Sequence, residues 1–78
     1  MKQIQVSHDD NGLVNEHLRP GMFVTFSFTL EDDTVFTDEG VIVKATYGND
    51  PSDDSYIVSG KKGKSEIFSR DINNVYSI

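Results

Sequence analysis

Alternation of apolar and polar residues is strongest over residues 22–30, where Met22, Val24, Phe26, Phe28 and Leu30 take every second position and Thr25, Ser27 and Thr29 fall between them. A period of two puts the first set on one face of a β-strand and the second on the other. Phe23 is the one apolar residue on the polar face, so it calls for a second packing layer or a partner. The strand is introduced by Leu18-Arg19-Pro20-Gly21. Proline fixes its own φ and biases Arg19 towards extended backbone, while glycine permits a turn.

A second strand is predicted over residues 40–47, with Val41, Val43, Ala45 and Tyr47 on one face and Ile42, Lys44 and Thr46 on the other. The acidic residues 31–39 between these strands read as a long loop or ragged hairpin tip with Val35 and Phe36 embedded in it. Gly48-Asn49-Asp50-Pro51-Ser52-Asp53-Asp54 is a run of turn formers. Residues 55–59 and 64–68 pair as a hairpin across the tight turn Lys61-Lys62-Gly63. Residues 69–74 suit one helical or 3₁₀ turn, with Ser69 as cap and Asp71 near its positive end, before a last strand over 75–78. Towards the N-terminus, Ile4 and Val6 alternate with Gln3, Gln5 and Ser7 as a strand, and Asp9-Asp10-Asn11-Gly12 reads as a turn. Residues 13–18 either pair back as a strand or form one helical turn with Val14 over Leu18.

The expected fold is therefore all-β: a single compact domain with a small barrel of about five strands over residues 18–78, one short 3₁₀ turn, and an N-terminal strand or arm over residues 1–17. This order resembles the SH3-like barrel of KOW, Tudor and related modules. The likeness is carried by the lead-in "LRPGMFVTF", the second strand "EGVIVKA", the hairpin "DSYIVSGKKGKSEIF" and the ending "SRDINNVYSI". The resemblance implies architecture and leaves activity open. KOW modules that contact nucleic acid carry basic, glycine-rich residues after the first strand, where this chain has Glu31, Asp32, Asp33, Asp38 and Glu39. Peptide-binding SH3 domains present clustered aromatics, often with tryptophan; this chain has no tryptophan, and Tyr47, Tyr56 and Tyr76 fall at strand positions.

Charge changes the picture most. The chain of 78 residues carries a net charge of −6, and residues 31–54 hold eight carboxylates against the single base Lys44. From residue 55 onward Lys61, Lys62, Lys64 and Arg70 stand against only Glu66 and Asp71. On the barrel topology, residues 31–39 and 48–54 are expected at one end and the basic tip at the other. An acidic total argues against general affinity for nucleic acid or anionic membrane and favours a protein partner with a basic surface. With no cysteine, no stretch of roughly 18 apolar residues and no apolar block in Met-Lys-Gln-Ile-Gln-Val, a cytoplasmic chain without disulfides is expected.

The candidate partner-binding residues are Phe23, Asp32, Asp33, Val35, Phe36, Asp38, Glu39, Asp50, Asp53 and Asp54, with Val35 or Phe36 as apolar anchor, because exposed ion pairs contribute only about 0–1 kcal/mol each. Lys61, Lys62, Lys64 and Arg70 form the alternative, a phosphate contact for a nucleic-acid-binding module. A further alternative resembles the small acidic inhibitors of phage and mobile elements, with carboxylates imitating a phosphate array. Self-association through residues 2–7 is a third. No metal or cofactor is expected: the acidic turns lack calcium-loop spacing, and His8 and His17 have no cysteine to complete a zinc set. Neither a nucleophile elbow nor a P-loop is present, and the expectation is a binding module without enzymatic activity.

Overall fold

The computed structural model describes residues 1–9, 12–13 and 16–78. It is all-β. Six antiparallel strands form one sheet: β1 (Lys2–Ile4), β4 (Phe23–Thr29), β5 (Val35–Thr46), β6 (Ser55–Gly60), β7 (Gly63–Phe68) and β8 (Ile72–Ser77). The spatial order is β1-β8-β4-β5-β6-β7, while the two-residue strands β2 (His8–Asp9) and β3 (Gly12–Leu13) pair with each other alone. This arrangement is compatible with a small barrel-like fold. Two 3₁₀ turns replace the single one expected, at Pro51–Asp53 and Ser69–Asp71. The turn expected at residues 9–12 and the choice between strand and helix for 13–18 lie partly outside the described residues.

The core follows the period of two in β4: Met22, Val24 and Phe26 are buried, joined by Ile42, Tyr56, Val58, Ile67, Ile72, Val75 and the lead-in residue Leu18. Phe28 packs partly on this cluster, and Leu30 emerges at the turn. Val75 enters from β8, which lies beside β4 with Val24 opposite Val75.

Strand β5 departs from the sequence expectation in two ways. It begins at Val35 rather than Gly40, because residues 35–39 continue the ladder with β4, Phe36 opposite Phe28 and Asp38 opposite Phe26. Its facing also changes midway. Phe36, Asp38, Gly40 and Ile42 point inward, but the ladder with β6 then skips Val43, pairing Ile42 with Val58 and Lys44 with Ile57. One extra residue in a strand exchanges its faces and sharpens its bend. Val43 is thereby left 46% exposed and Ala45 turns towards the core. A second irregularity lies in β8, where Asn73 is passed over between Asn74 opposite Thr25 and Ile72 opposite Phe26.

The backbone of β5 comes very close to β6 at Gly40. A Cβ there would run into the Ser59 carbonyl and the Gly60 Cα. Gly21 is glycine for a different reason: its φ of 97° lets the lead-in turn so that its N–H donates to the Ile42 carbonyl at 2.8 Å. Gly40→Ala is expected to destabilise the chain by more than about 3 kcal/mol, since backbone must move. Gly21→Ala meets no neighbour but strains a positive-φ backbone, and should cost less, about 1–2 kcal/mol. Urea unfolding of the two variants measures the difference.

Candidate functional site

The first acidic segment and the basic tip meet. Register puts Gly40 opposite Gly60, so the β6–β7 turn sits beside residues 37–39, at the same end of β5 as the β4–β5 turn. Thr46 opposite Ser55 sends residues 48–54 to the other end. The expected arrangement is corrected: the two acidic segments lie at opposite ends, and the lysine tip folds onto the first of them. The physical reason is the antiparallel meander, whose successive turns alternate between the two ends of the sheet, and the extension of β5 back through residues 35–39 brings the first segment beside the lysine tip.

Asp38 holds this junction. Its side chain points inward with the residue only 5% exposed, and its carboxylate accepts the N–H of Glu39 at 2.8 Å, Lys61 at 3.2 Å and Lys62 at 3.0 Å. Gly60 leaves the room for it, because a Cβ at that position would strike the carboxylate. Burial raises the Asp38 pKa, but the three N–H donors and the Lys62 charge outweigh it and hold the carboxyl below the ordinary range. The lysine side chains follow their backbone. Lys61 Nζ lies 3.2 Å from Glu39 Oε1, and Lys62 Nζ donates to the Thr37 carbonyl at 2.6 Å while sitting 5.0 Å from the Phe36 ring centroid. Thr25, Thr37, Asp38, Glu39, Lys61 and Lys62 border a shallow cleft of about 280 Å³.

At the other end Asp54 is also buried, and it ties the lead-in to the sheet. Its Oδ2 accepts from Tyr56 Oη at 3.0 Å and lies 2.6 Å from His17 Nδ1, and its Oδ1 accepts from Gly48 N at 2.8 Å. Tyr56 Oη in turn accepts the Leu18 N–H at 3.1 Å, and Tyr47 Oη donates to the Leu18 carbonyl at 2.6 Å. Burial, then the Asp54 carboxylate, drives the Tyr56 pKa upward, so the phenol stays protonated and can donate. Asp50 and Asp53 remain exposed beside this network.

Asp38 and Asp54 were expected on a contact surface, and both are interior acceptors instead. A chain reading had one signal for Asp38: it shares the parity of Phe36, Gly40 and Ile42, which a strand extended back from Gly40 would have turned inward. No comparable signal marks Asp54, whose partners come from residues 17, 48 and 56. Phe36 is half-buried, stacked on Phe28 with centroids 5.2 Å apart, and Phe23 meets Tyr76 edge-on at 6.0 Å. Arg70 lies over the Phe68 ring at 5.2 Å, and Lys64 is exposed on β7.

What stays outward at the β4–β5 turn is a compact mixed tip. Leu30 is 43% and Val35 64% exposed, and Glu31, Asp32 and Asp33 are exposed between them. The turn is fixed: Leu30 N donates to the Thr34 carbonyl at 2.8 Å, Asp33 N to the Leu30 carbonyl at 3.0 Å, and Asp33 takes φ of 68°. The Asp32 carboxylate accepts from the Thr34 hydroxyl and from its N–H, and these bonds lower its pKa. Among the described residues no group of three or more His, Asp or Glu side chains converges on a metal position. No described helix is long and apolar enough to cross a membrane.

Two variants test these assignments. A carboxyl whose folded pKa is depressed stabilises the fold above its unfolded pKa of about 4 and loses that contribution as pH falls through the folded value. Wild type should therefore lose stability below pH about 4 more steeply than Asp38→Asn, as read by thermal melts across pH. Tyr56→Phe leaves the Leu18 N–H without its acceptor and should cost about 1–3 kcal/mol in urea unfolding.

Comparison with protein-family models, with curated proteins and with solved structures gives no match to this chain, so the reading of its function rests on the geometry of these surfaces.

Proposed function

We propose that this chain is a non-enzymatic binding module of SH3-like architecture that docks onto or masks a protein partner through the β4–β5 tip. The observation that carries the reading is the pairing of exposed Leu30 and Val35 with Glu31, Asp32 and Asp33 on one fixed turn. Apolar side chains supply the affinity of an interface, and surrounding charge supplies steering and register. The matching partner surface is an apolar recess rimmed by lysine and arginine. A turn already held by its own hydrogen bonds loses little freedom on docking, which favours recognition by a small area.

The other expected contact residues divide by position. Glu39 is partly turned to its own Lys61, and Asp50 and Asp53 stand at the far end, where a partner gripping the tip does not reach them without spanning the sheet. The nucleic-acid reading draws less support. Lys61 and Lys62 already interact with Glu39, Thr37 and Phe36, and Arg70 lies on Phe68, so a phosphate would have to displace intramolecular partners.

Tagged wild type is to be compared with Leu30→Ser/Val35→Ser and with Asp32→Asn/Asp33→Asn for proteins retained from the native cell. The apolar variant should lose the partner, and the charge variant should bind several-fold more weakly with reduced salt dependence. Retention of the same partner at wild-type strength by both variants overturns the proposal.

A further inference from the structure

Strand β7 has a neighbour on one side only. It closes the sheet order next to β6, and among the described residues no strand flanks its other side. The direction of its backbone groups follows from the hairpin. Gly60 opposite Gly63 closes a two-residue turn, and the closing pair of such a turn exchanges hydrogen bonds. Ser65 and Ile67 then bond to β6, whereas Lys64, Glu66 and Phe68 direct their backbone groups outward. An independent bond agrees: Phe68 N donates to Asp71 Oδ2 at 2.9 Å rather than to β6. The second 3₁₀ turn thus caps the edge at Phe68, leaving Lys64 and Glu66 as the outward residues of the strand's middle.

We propose that this edge is a self-recognition site, at which two copies of the chain join β7 to β7 antiparallel about a two-fold axis at Ser65. In that register Lys64 of each copy lies opposite Glu66 of the other. The two outward-directed residues face each other as hydrogen-bonded pairs, and both charges are met by their opposites. The neighbouring registers are excluded by the same charges, because one sets Lys64 against Lys64 and the other Glu66 against Glu66. Lys64 and Glu66 are exposed on the strand's outer face, opposite the face that carries buried Ile67. A charged edge discourages pairing with arbitrary strands, and an edge whose charges are complementary only to itself restricts pairing to its own copy. The surface is separate from the β4–β5 tip, so this inference stands apart from the proposed partner docking.

The contact is small, so association is expected to be weak, with mass by sedimentation equilibrium rising from the 8.7 kDa monomer between about 10 μM and about 1 mM. Lys64→Glu alone and Glu66→Lys alone each turn two attractive pairs into two repulsive ones and should weaken self-association about tenfold. An equimolar mixture of these two variants restores every opposite-charge pair across a heterodimer and should regain wild-type association, as should the double swap in one chain. In wild type, the amides of Lys64 and Glu66 should gain hydrogen-exchange protection as concentration rises. A wild type that stays monomeric over this range overturns the proposal, as does unchanged association in both single variants or a mixture that fails to recover. Circular dichroism of each variant checks folding, and the exchange measurement on wild type decides the question if a variant does not fold.

Discussion

The fold depends on one carboxylate accepting three backbone N–H groups from two elements. Asp38 sits on the inward parity of β5, and by bonding Lys61 and Lys62 it draws the β6–β7 turn over the end of β5. An ionised group in that position is expensive to bury without donors, and the turn supplies two of its three. Gly60 makes room for the carboxylate, and Gly40 brings the two backbones close enough for the bonds to form. These three residues act as one unit, and the positions of the lysine side chains follow from it.

This junction also decides what the charge pattern means. Along the chain, acid and base are separated by more than twenty positions; in space, Lys61 and Lys62 lie on residues 36–39. One end of the sheet is therefore close to charge-balanced along its side and acidic only at the outermost turn. Recognition by net charge alone would favour any basic surface. The docking proposed through Leu30, Val35 and their three carboxylates asks instead for a particular arrangement on the partner.

Much of the architecture was legible in the sequence, and the reasons are physical. β4 carries an unbroken period of two, the β6–β7 turn is written in Lys-Lys-Gly, and Ser69–Asp71 forms a 3₁₀ turn where turn formers stand. Strand β5 was legible only from Gly40 onward. Acid density in residues 35–39 suggested solvent, yet one of those acids is the inward acceptor that permits the strand. The face exchange at Val43 has no local mark, because Val-Ile-Val fits either facing and the choice is made by β6. Asp54 was hidden for a related reason: its environment is assembled from His17, Gly48 and Tyr56, which only the closed fold brings together.

The topology gives β1 and β8 an importance out of proportion to their length. β4 to β7 is a meander whose neighbours are joined by short turns, so each step closes a small loop. β8 follows β7 after only the 3₁₀ turn Ser69–Asp71, so the sheet must curl for β8 to lie beside β4, and β1 then pairs with β8, Lys2 opposite Ser77. The pairings most distant in sequence are thus gathered into β1 and β8, while the meander pairs locally. Before β8 is in place, one edge of β4 is unpaired and Ile72 and Val75 are missing from the core. β8 acts as a latch: seating it pairs that edge and brings Ile72 and Val75 beside Phe26 and Val24.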